Sequence, residues 1–233
     1  MFPPTLWPQE FEFNNFAVVM QSTPFLTYLR NSIFYAIFET VLVLLVSLLS
    51  AYGFFLVKNK AKMSIILLML LVDAVPFEVV MIYNFRSIIN WSMHNSIWAL
   101  ILPFVCNFSY VFILYNAFEK IPKSLYYSAR LDRTSNIKYL FKIAIPYIKS
   151  TVIFVCLINL VGAWNSFLWP LLVTSSDSSR TLPIGIYSFV PENGSKTELV
   201  MAMSVLSQLP LIILFFIFQK YFLNGTLRSK ESK

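Results

Sequence analysis

Apolar residues in this chain come in long runs, and polar residues gather between them. The runs cover about Ser32–Val57, Met63–Asn84, Ser96–Phe118, Ser150–Val173 and Leu199–Leu223. Each is close to the roughly 20 residues an α-helix needs to cross a hydrocarbon core of about 30 Å. None alternates polar and apolar over the about ten residues of a barrel strand. The pattern predicts an all-α polytopic membrane protein with about five spans visible. Residues 32–224 form its transmembrane domain, 1–31 an extracytoplasmic N-terminal segment and 225–233 a cytoplasmic tail.

One polar stretch, residues 119–149, separates the third run from the fourth. In it Glu119 and Asp132 face seven cations: Lys120, Lys123, Arg130, Arg133, Lys138, Lys142 and Lys149. Two short helices are legible there. Pro122 suits a first helical position, where its missing N–H has no partner to lose, and that helix runs to about Leu131. Arg133, Thr134 and Ser135 make a break, with Thr134 or Ser135 able to cap the second helix. In that second helix Ile137, Leu140, Phe141 and Ala144 fall on one apolar stripe, and Pro146 closes it. Such a basic amphipathic pair is a docking surface for a partner, or else a binder of anionic lipid headgroups.

Composition narrows the class. With 58% hydrophobic and 12% charged residues, a mean hydropathy of +0.68 leaves too little polar surface for a soluble domain. The net charge of +7 reads as topology, because the cations sit in loops beside spans and not in a stripe fit for nucleic acid. The 58–62 turn, the 119–149 loop and residues 220–233 hold three, seven and four cations, fourteen of eighteen. The positive-inside rule makes that side cytoplasmic and puts the C-terminus inside. Cys106 and Cys156 lie in apolar runs and read as buried thiols. His94 has no other His or Cys spaced to complete a metal site. No signal peptide is legible before Gln21.

Polar residues inside the runs are candidates for chemistry. Asp73 and Glu78 flank Pro76 in the second run, and each carboxylate costs about 2.5–3.5 kcal/mol at the bilayer centre unless it faces protein or water. They read as lining a polar path, or, for Glu78, as pairing with Arg86 near an interface. Glu39 reads as lying near the extracytoplasmic end of its span. Trp164 and Asn165 suit stacking and hydrogen bonding against a sugar, or helix packing, and Trp169 reads as a membrane anchor. Residues 174–198, with Pro183, Gly185, Pro191 and Gly194, read as an extracytoplasmic loop reaching away from the bilayer. No Gly-rich phosphate cradle with a lysine is present, so nothing here suggests catalysis.

In the basic loop, Tyr127-Ser128-Ala129, three residues, Arg133, nine residues and Ile143-Ala144-Ile145-Pro146 hold the register of a known cytoplasmic motif. That motif runs Glu-Ala-Ala, three residues, Gly, nine residues, Ile-x-Leu-Pro, and Leu131-Asp132 match the pair often found before its glycine. The motif Glu and Gly are replaced by Tyr127 and Arg133. Trp164-Asn165-Ser166-Phe167-Leu168-Trp169-Pro170-Leu171, Arg180-Thr181-Leu182-Pro183-Ile184-Gly185, Leu100-Ile101-Leu102-Pro103, Gln219-Lys220-Tyr221-Phe222 and Phe2-Pro3-Pro4 extend the likeness over essentially the whole chain. The sequence resembles the permease subunits of binding-protein-dependent ABC importers, carbohydrate-uptake branch, MalG-like, with a MetI-like transmembrane fold. Members usually have six spans, and the resemblance places Met1 just after the first.

The resemblance implies a multi-pass subunit of the bacterial inner membrane that forms half of a sugar pathway. It works with a second permease (a heterodimer), two cytoplasmic ABC ATPases that hold ATP and Mg, and an extracytoplasmic solute-binding protein. No cofactor is bound by this chain. Its coupling loop is Tyr127, Ser128, Ala129, Leu131, Asp132, Arg133, Ile143 and Pro146, with Ala129 on the face entering the ATPase cleft. The binding-protein contact is Pro191, Glu192, Asn193, Gly194 and Ser195. The residues leave two other readings open: a secondary transporter or channel using Asp73 and Glu78, and a degenerate permease that has lost coupling.

Overall fold

A computed structural model describes residues 12–57, 62–188 and 197–228, with side chains as far as 219. Among the described residues all regular structure is helical. In chain order the helices are α1 (Asn14–Ser22), α2 (Phe25–Leu56), α3 (Lys62–Asp73), α4 (Phe77–Asn90), α5 (Ile97–Ile101), α6 (Phe108–Glu119), α7 (Lys123–Leu131), α8 (Asn136–Tyr139), α9 (Ile145–Tyr147), α10 (Lys149–Trp164), α11 (Leu168–Val173), α12 (Leu182–Ser188) and α13 (Thr197–Arg228). A π-turn over Leu140–Ala144 joins α8 to α9.

Two helices, α2 and α13, are each long and apolar enough to cross a membrane unbroken. The second and third apolar runs are bent pairs, α3 with α4 at 82° and the Ile97–Phe104 segment with α6 at 56°, while the fourth begins in α10, which meets the hairpin segment Asn136–Tyr147 at 84°. The first bend has a local cause, because Pro76 has no N–H to give and biases Val75 away from helical backbone. At the second bend Asn107 ends one segment and starts the next, its side chain accepting from the Tyr110 N–H at 3.0 Å. The fourth run also stops early: α10 ends at Trp164 and α11 is separate.

Helix α2 is the post around which the others stand, with α10 and α6 along it. It starts at Phe25, seven residues before the expected Ser32, because Tyr28, Asn31 and Ser32 have tertiary partners to hold that end. Glu39 therefore sits near the middle of a 32-residue helix and is only 5% exposed, which overturns its placement near an interface. Thr40 accepts from Asn159 of α10 at 3.0 Å beside it. Two apolar cores form, one at each end of the bundle. Tyr28, Tyr35, Trp169, Leu182 and Met203 belong to one, and Tyr52, Phe118, Leu140 and Ala144 to the other.

Trp169 belongs to the first core and is not an exposed anchor. Its Nε1 donates to the Ala99 carbonyl at 2.9 Å, and its ring meets the edges of Phe77 and Phe104. Cys106 is exposed and Cys156 half-buried, so the expectation of two buried thiols fails.

Candidate functional site

The basic hairpin is built on its own backbone logic. Pro122 stands at the N-cap position of α7, one position earlier than expected, without a side-chain capping bond. At the other end the Thr134 N–H donates to the Ala129 carbonyl at 2.9 Å and the Arg133 N–H to the Arg130 carbonyl at 3.1 Å. This crossed pair is a Schellman closure, which needs left-handed backbone at one residue and favours glycine there. Arg133 is that residue, with φ 53°. It bears the cost, about 1–2 kcal/mol for a residue with a β-carbon. Ser135 then caps α8, accepting from the Lys138 N–H at 3.3 Å.

The second half departs from the expected stripe. Tyr139, Leu140, Ala144 and Ile148 are buried, whereas Ile137 and Phe141 are exposed. The π-turn is the reason: its i→i+5 bonding puts Tyr139 and Ala144 on one line and moves Phe141 off it. Pro146 does not close the helix, which runs to Tyr147 before the 84° bend.

The hairpin's inner face stands on the ends of two long helices. The Tyr126 ring of α7 meets Phe55 of α2 at 5.8 Å and Tyr139 at 5.3 Å, both edge-on. Tyr52 stacks on Tyr139 at 6.2 Å and meets Phe118 of α6 at 5.8 Å. Edge-to-face pairs of this kind add about 0.5–1.5 kcal/mol each beyond their burial. The Arg130 Nε and Nη2 donate to the Tyr126 hydroxyl at 3.0 and 2.8 Å, and Nη2 also reaches Asn136, tying α7 to α8. Nearby, Lys62 pairs with Glu119 at 3.0 Å and lies over the Tyr115 ring, fixing the start of α3 to the end of α6. Among the described residues the buried hydroxyls of Tyr52 and Tyr139 have no partner.

The motif positions divide between two faces. Ala129 is buried against the bundle, so it does not lie on an outward face, and Ile143 is half-buried. Tyr127, Leu131, Asp132, Arg133 and Pro146 are exposed. Ser128 spends its hydroxyl on the Ser124 carbonyl at 2.9 Å.

The proposed pathway residues each have their own surroundings. Asp73 accepts from both the backbone N–H (3.0 Å) and the hydroxyl of Ser109, in the first turn of α6. A carboxylate at a helix N-terminus satisfies an orphan donor and the dipole together. Glu78 is exposed on α4, and among the described residues it forms no ion pair with Arg86. Trp164 is buried in the core, and Asn165 turns back to the Val161 carbonyl at 2.9 Å.

At the opposite end the loop after α11 is pinned down over residues 174–188 instead of reaching outward. Asn95, itself left-handed at φ 62°, accepts through Oδ1 from the Ser175 N–H (2.6 Å), the Ser176 N–H (3.2 Å) and the Ser179 hydroxyl (2.9 Å). Asn31 donates to the Ser178 and Arg180 carbonyls, Tyr28 to Asp177, and the Leu182 N–H to Ser32. Gly185 of α12 lies so close to Tyr28 that a β-carbon would stand 2.3 Å from its ring. Pro191, Glu192, Asn193, Gly194 and Ser195 lie outside the described residues, as do Phe2-Pro3-Pro4.

Sequence reading missed the aromatic nest of Tyr52, Phe55, Phe118, Tyr126 and Tyr139. The available signal was the crowding of aromatics at span ends on either side of a basic loop. It also missed Asn95, whose single amide in a short polar turn carries no pattern.

Comparison with known proteins gives four consistent likenesses. The family described as "Binding-protein-dependent transport system inner membrane component" matches residues 13–227. The arabinooligosaccharides transport system permease protein AraQ of Bacillus subtilis (strain 168) is 32% identical over 219 residues, covering 94% of this chain and 78% of that protein. The sn-glycerol-3-phosphate transport system permease protein UgpE of Yersinia pestis bv. Antiqua (strain Antiqua) is 29% identical over 230 residues, covering 98% and 82%. In fold, a chain from the crystal structure of a bacterial ABC transporter importing the acidic polysaccharide alginate superposes with a TM-score of 0.79 at 22% identity, covering 92% of this chain and 81% of that one.

Proposed function

The chain belongs to the family of binding-protein-dependent transport system inner membrane components, and from that premise we propose that it is one of two permeases in an ATP-driven sugar importer of the bacterial inner membrane. The family is one of transport permeases, not enzymes. Relatives named for arabinooligosaccharide and glycerol-phosphate transport support a hydroxyl-rich cargo, a sugar or a close relative. The chain contributes half of the path. A second permease supplies the other half, two ABC ATPases with ATP and Mg supply the work, and an extracytoplasmic binding protein delivers the cargo, with contact at residues 191–195. The hairpin and the C-terminus lie in the cytoplasm.

The observation that carries this reading is the hairpin seated on the ends of α2 and α6 through packed rings. A push on α7 moves Tyr126, and the close-packed nest passes that displacement to two long helices, because packed interiors switch between discrete arrangements instead of bending. Alternating access results when both permeases are driven together. The anchoring of Asp73 at α6 weighs against a secondary transporter relying on that carboxylate. Glu78, exposed on α4, remains our candidate for the path.

Co-purification tests the reading. The tagged chain should bring down a nucleotide-binding subunit, and loaded binding protein should stimulate hydrolysis. An ATPase that binds without stimulation would identify a permease that has lost coupling. Transport by the purified chain alone would overturn the proposal.

A further inference from the structure

Among the large apolar side chains that the hairpin leaves exposed are Tyr127 (58%), Leu131 (85%), Ile137 (71%) and Phe141 (53%). They stand in two ridges one helical turn long, Tyr127 with Leu131 and Ile137 with Phe141. The inward faces carry Ala129, Tyr139, Leu140 and Ala144 into the nest. That nest rests on the last turns of α2 and α6, so the ridges point away from the ends of two spans. Hydrocarbon lies the other way, and lipid is therefore a poor occupant for them.

Charge around the ridges is mostly positive. Lys123 precedes Tyr127 by one turn, Lys138 and Lys142 each follow a ridge residue, and Arg133 is exposed at the tip of the hairpin. Among the described residues none of these cations takes part in an ion pair. Asp132 is the single carboxylate between residues 120 and 149. Where the family motif offers its partner a glutamate, this chain offers the Tyr127 ring.

We infer that the cleft receiving this face belongs to an ATPase subunit with an apolar floor and an acidic rim. The floor takes the four ridge side chains, and the rim carboxylates face Lys123, Arg133, Lys138 and Lys142. This rests on the importer reading and narrows it. Opposite charge at the rim steers the encounter and rejects subunits whose clefts carry cations. A subunit selected by the motif glutamate would not be interchangeable with this one.

The test uses the full chain in inside-out vesicles from its native host. Cys106 and Cys156 are replaced by alanine, and a single cysteine stands at Leu131 or Phe141. Labelling with a membrane-impermeant maleimide should be blocked in low salt and released in molar salt, where the Debye length falls to about 3 Å. Lys138→Glu with Lys142→Glu, both exposed, should lower the salt needed for release. Protection indifferent to salt and to that charge reversal would overturn the acidic rim while leaving ATPase docking in place. Free labelling under all conditions, with no ATPase in the vesicles' pull-down, would overturn docking as well. Protection of the purified chain by phosphatidylglycerol nanodiscs, absent in phosphatidylcholine, would assign the face to lipid and overturn the inference.

Discussion

Two long polar loops leave this bundle, and the structure treats them in opposite ways. The serine-rich loop after α11 is stitched down by Asn95, Asn31, Tyr28 and Ser32, and its helix α12 buries Leu182 and Ile184. The basic hairpin is anchored only along one face and leaves Tyr127, Leu131, Ile137 and Phe141 outside. The difference lies in what each loop can bond within the chain. Serine hydroxyls and free backbone N–H groups find short polar partners and close on them. The hairpin's lysines form no ion pair among the described residues. A loop that satisfies itself is a lid, whereas one that cannot is a surface waiting for something else.

The heaviest blow to this contrast is a charge placed on the hairpin's anchored face. Ala129→Glu buries a carboxylate against the nest, where an uncompensated charge costs about 3–5 kcal/mol. The thermal midpoint in detergent should collapse, and a normal midpoint would show that α7 is not seated as described. Asn95→Ala comes next. It removes three accepted bonds and puts alanine, which tolerates left-handed backbone less well, at φ 62°, for a loss of roughly 2–3 kcal/mol. Proteolysis near residue 177 should appear before global unfolding, and an unchanged cleavage pattern would mean the lid is held elsewhere.

Two smaller changes sharpen the comparison. Arg133→Gly relieves left-handed strain and should raise the thermal midpoint by the equivalent of about 1–2 kcal/mol while coupling persists. Lost coupling in a stabilised variant would show that the arginine makes a contact of its own. Tyr52→Phe removes a buried hydroxyl without a partner and should leave stability equal or slightly higher, since such a group costs about 1–3 kcal/mol. A clear loss would mean that this hydroxyl is bonded in the working state.

What can be read from residues alone depends on the range of the forces involved. Apolar runs announce themselves over about 20 residues, so the helical class and the two unbroken long helices are legible, as are the break at Arg133–Ser135 and the Ser135 cap. Features set by a partner far along the chain are not. Glu39 is misplaced by sequence because Tyr28 and Asn31 lengthen α2 through contacts nearly 150 positions away. The stripe through Ile137 and Phe141 fails because a π-turn changes the helical period, and no residue in Leu140–Ala144 signals one. The bonds that Asp73 accepts from Ser109, 36 residues on, leave no mark in its own stretch of sequence. Trp169 looks like an anchor because its acceptor, the Ala99 carbonyl, leaves no mark in sequence.

The central claim is that the basic hairpin is a handle gripped by a separate nucleotide-hydrolysing subunit. A photo-crosslinking residue at Leu131, activated in native membranes, tests it most directly. The account predicts one dominant protein adduct, carrying the nucleotide-binding subunit and lost when that subunit is deleted. Adducts to lipid alone, or reaction of position 131 with an impermeant reagent added outside intact cells, would contradict it.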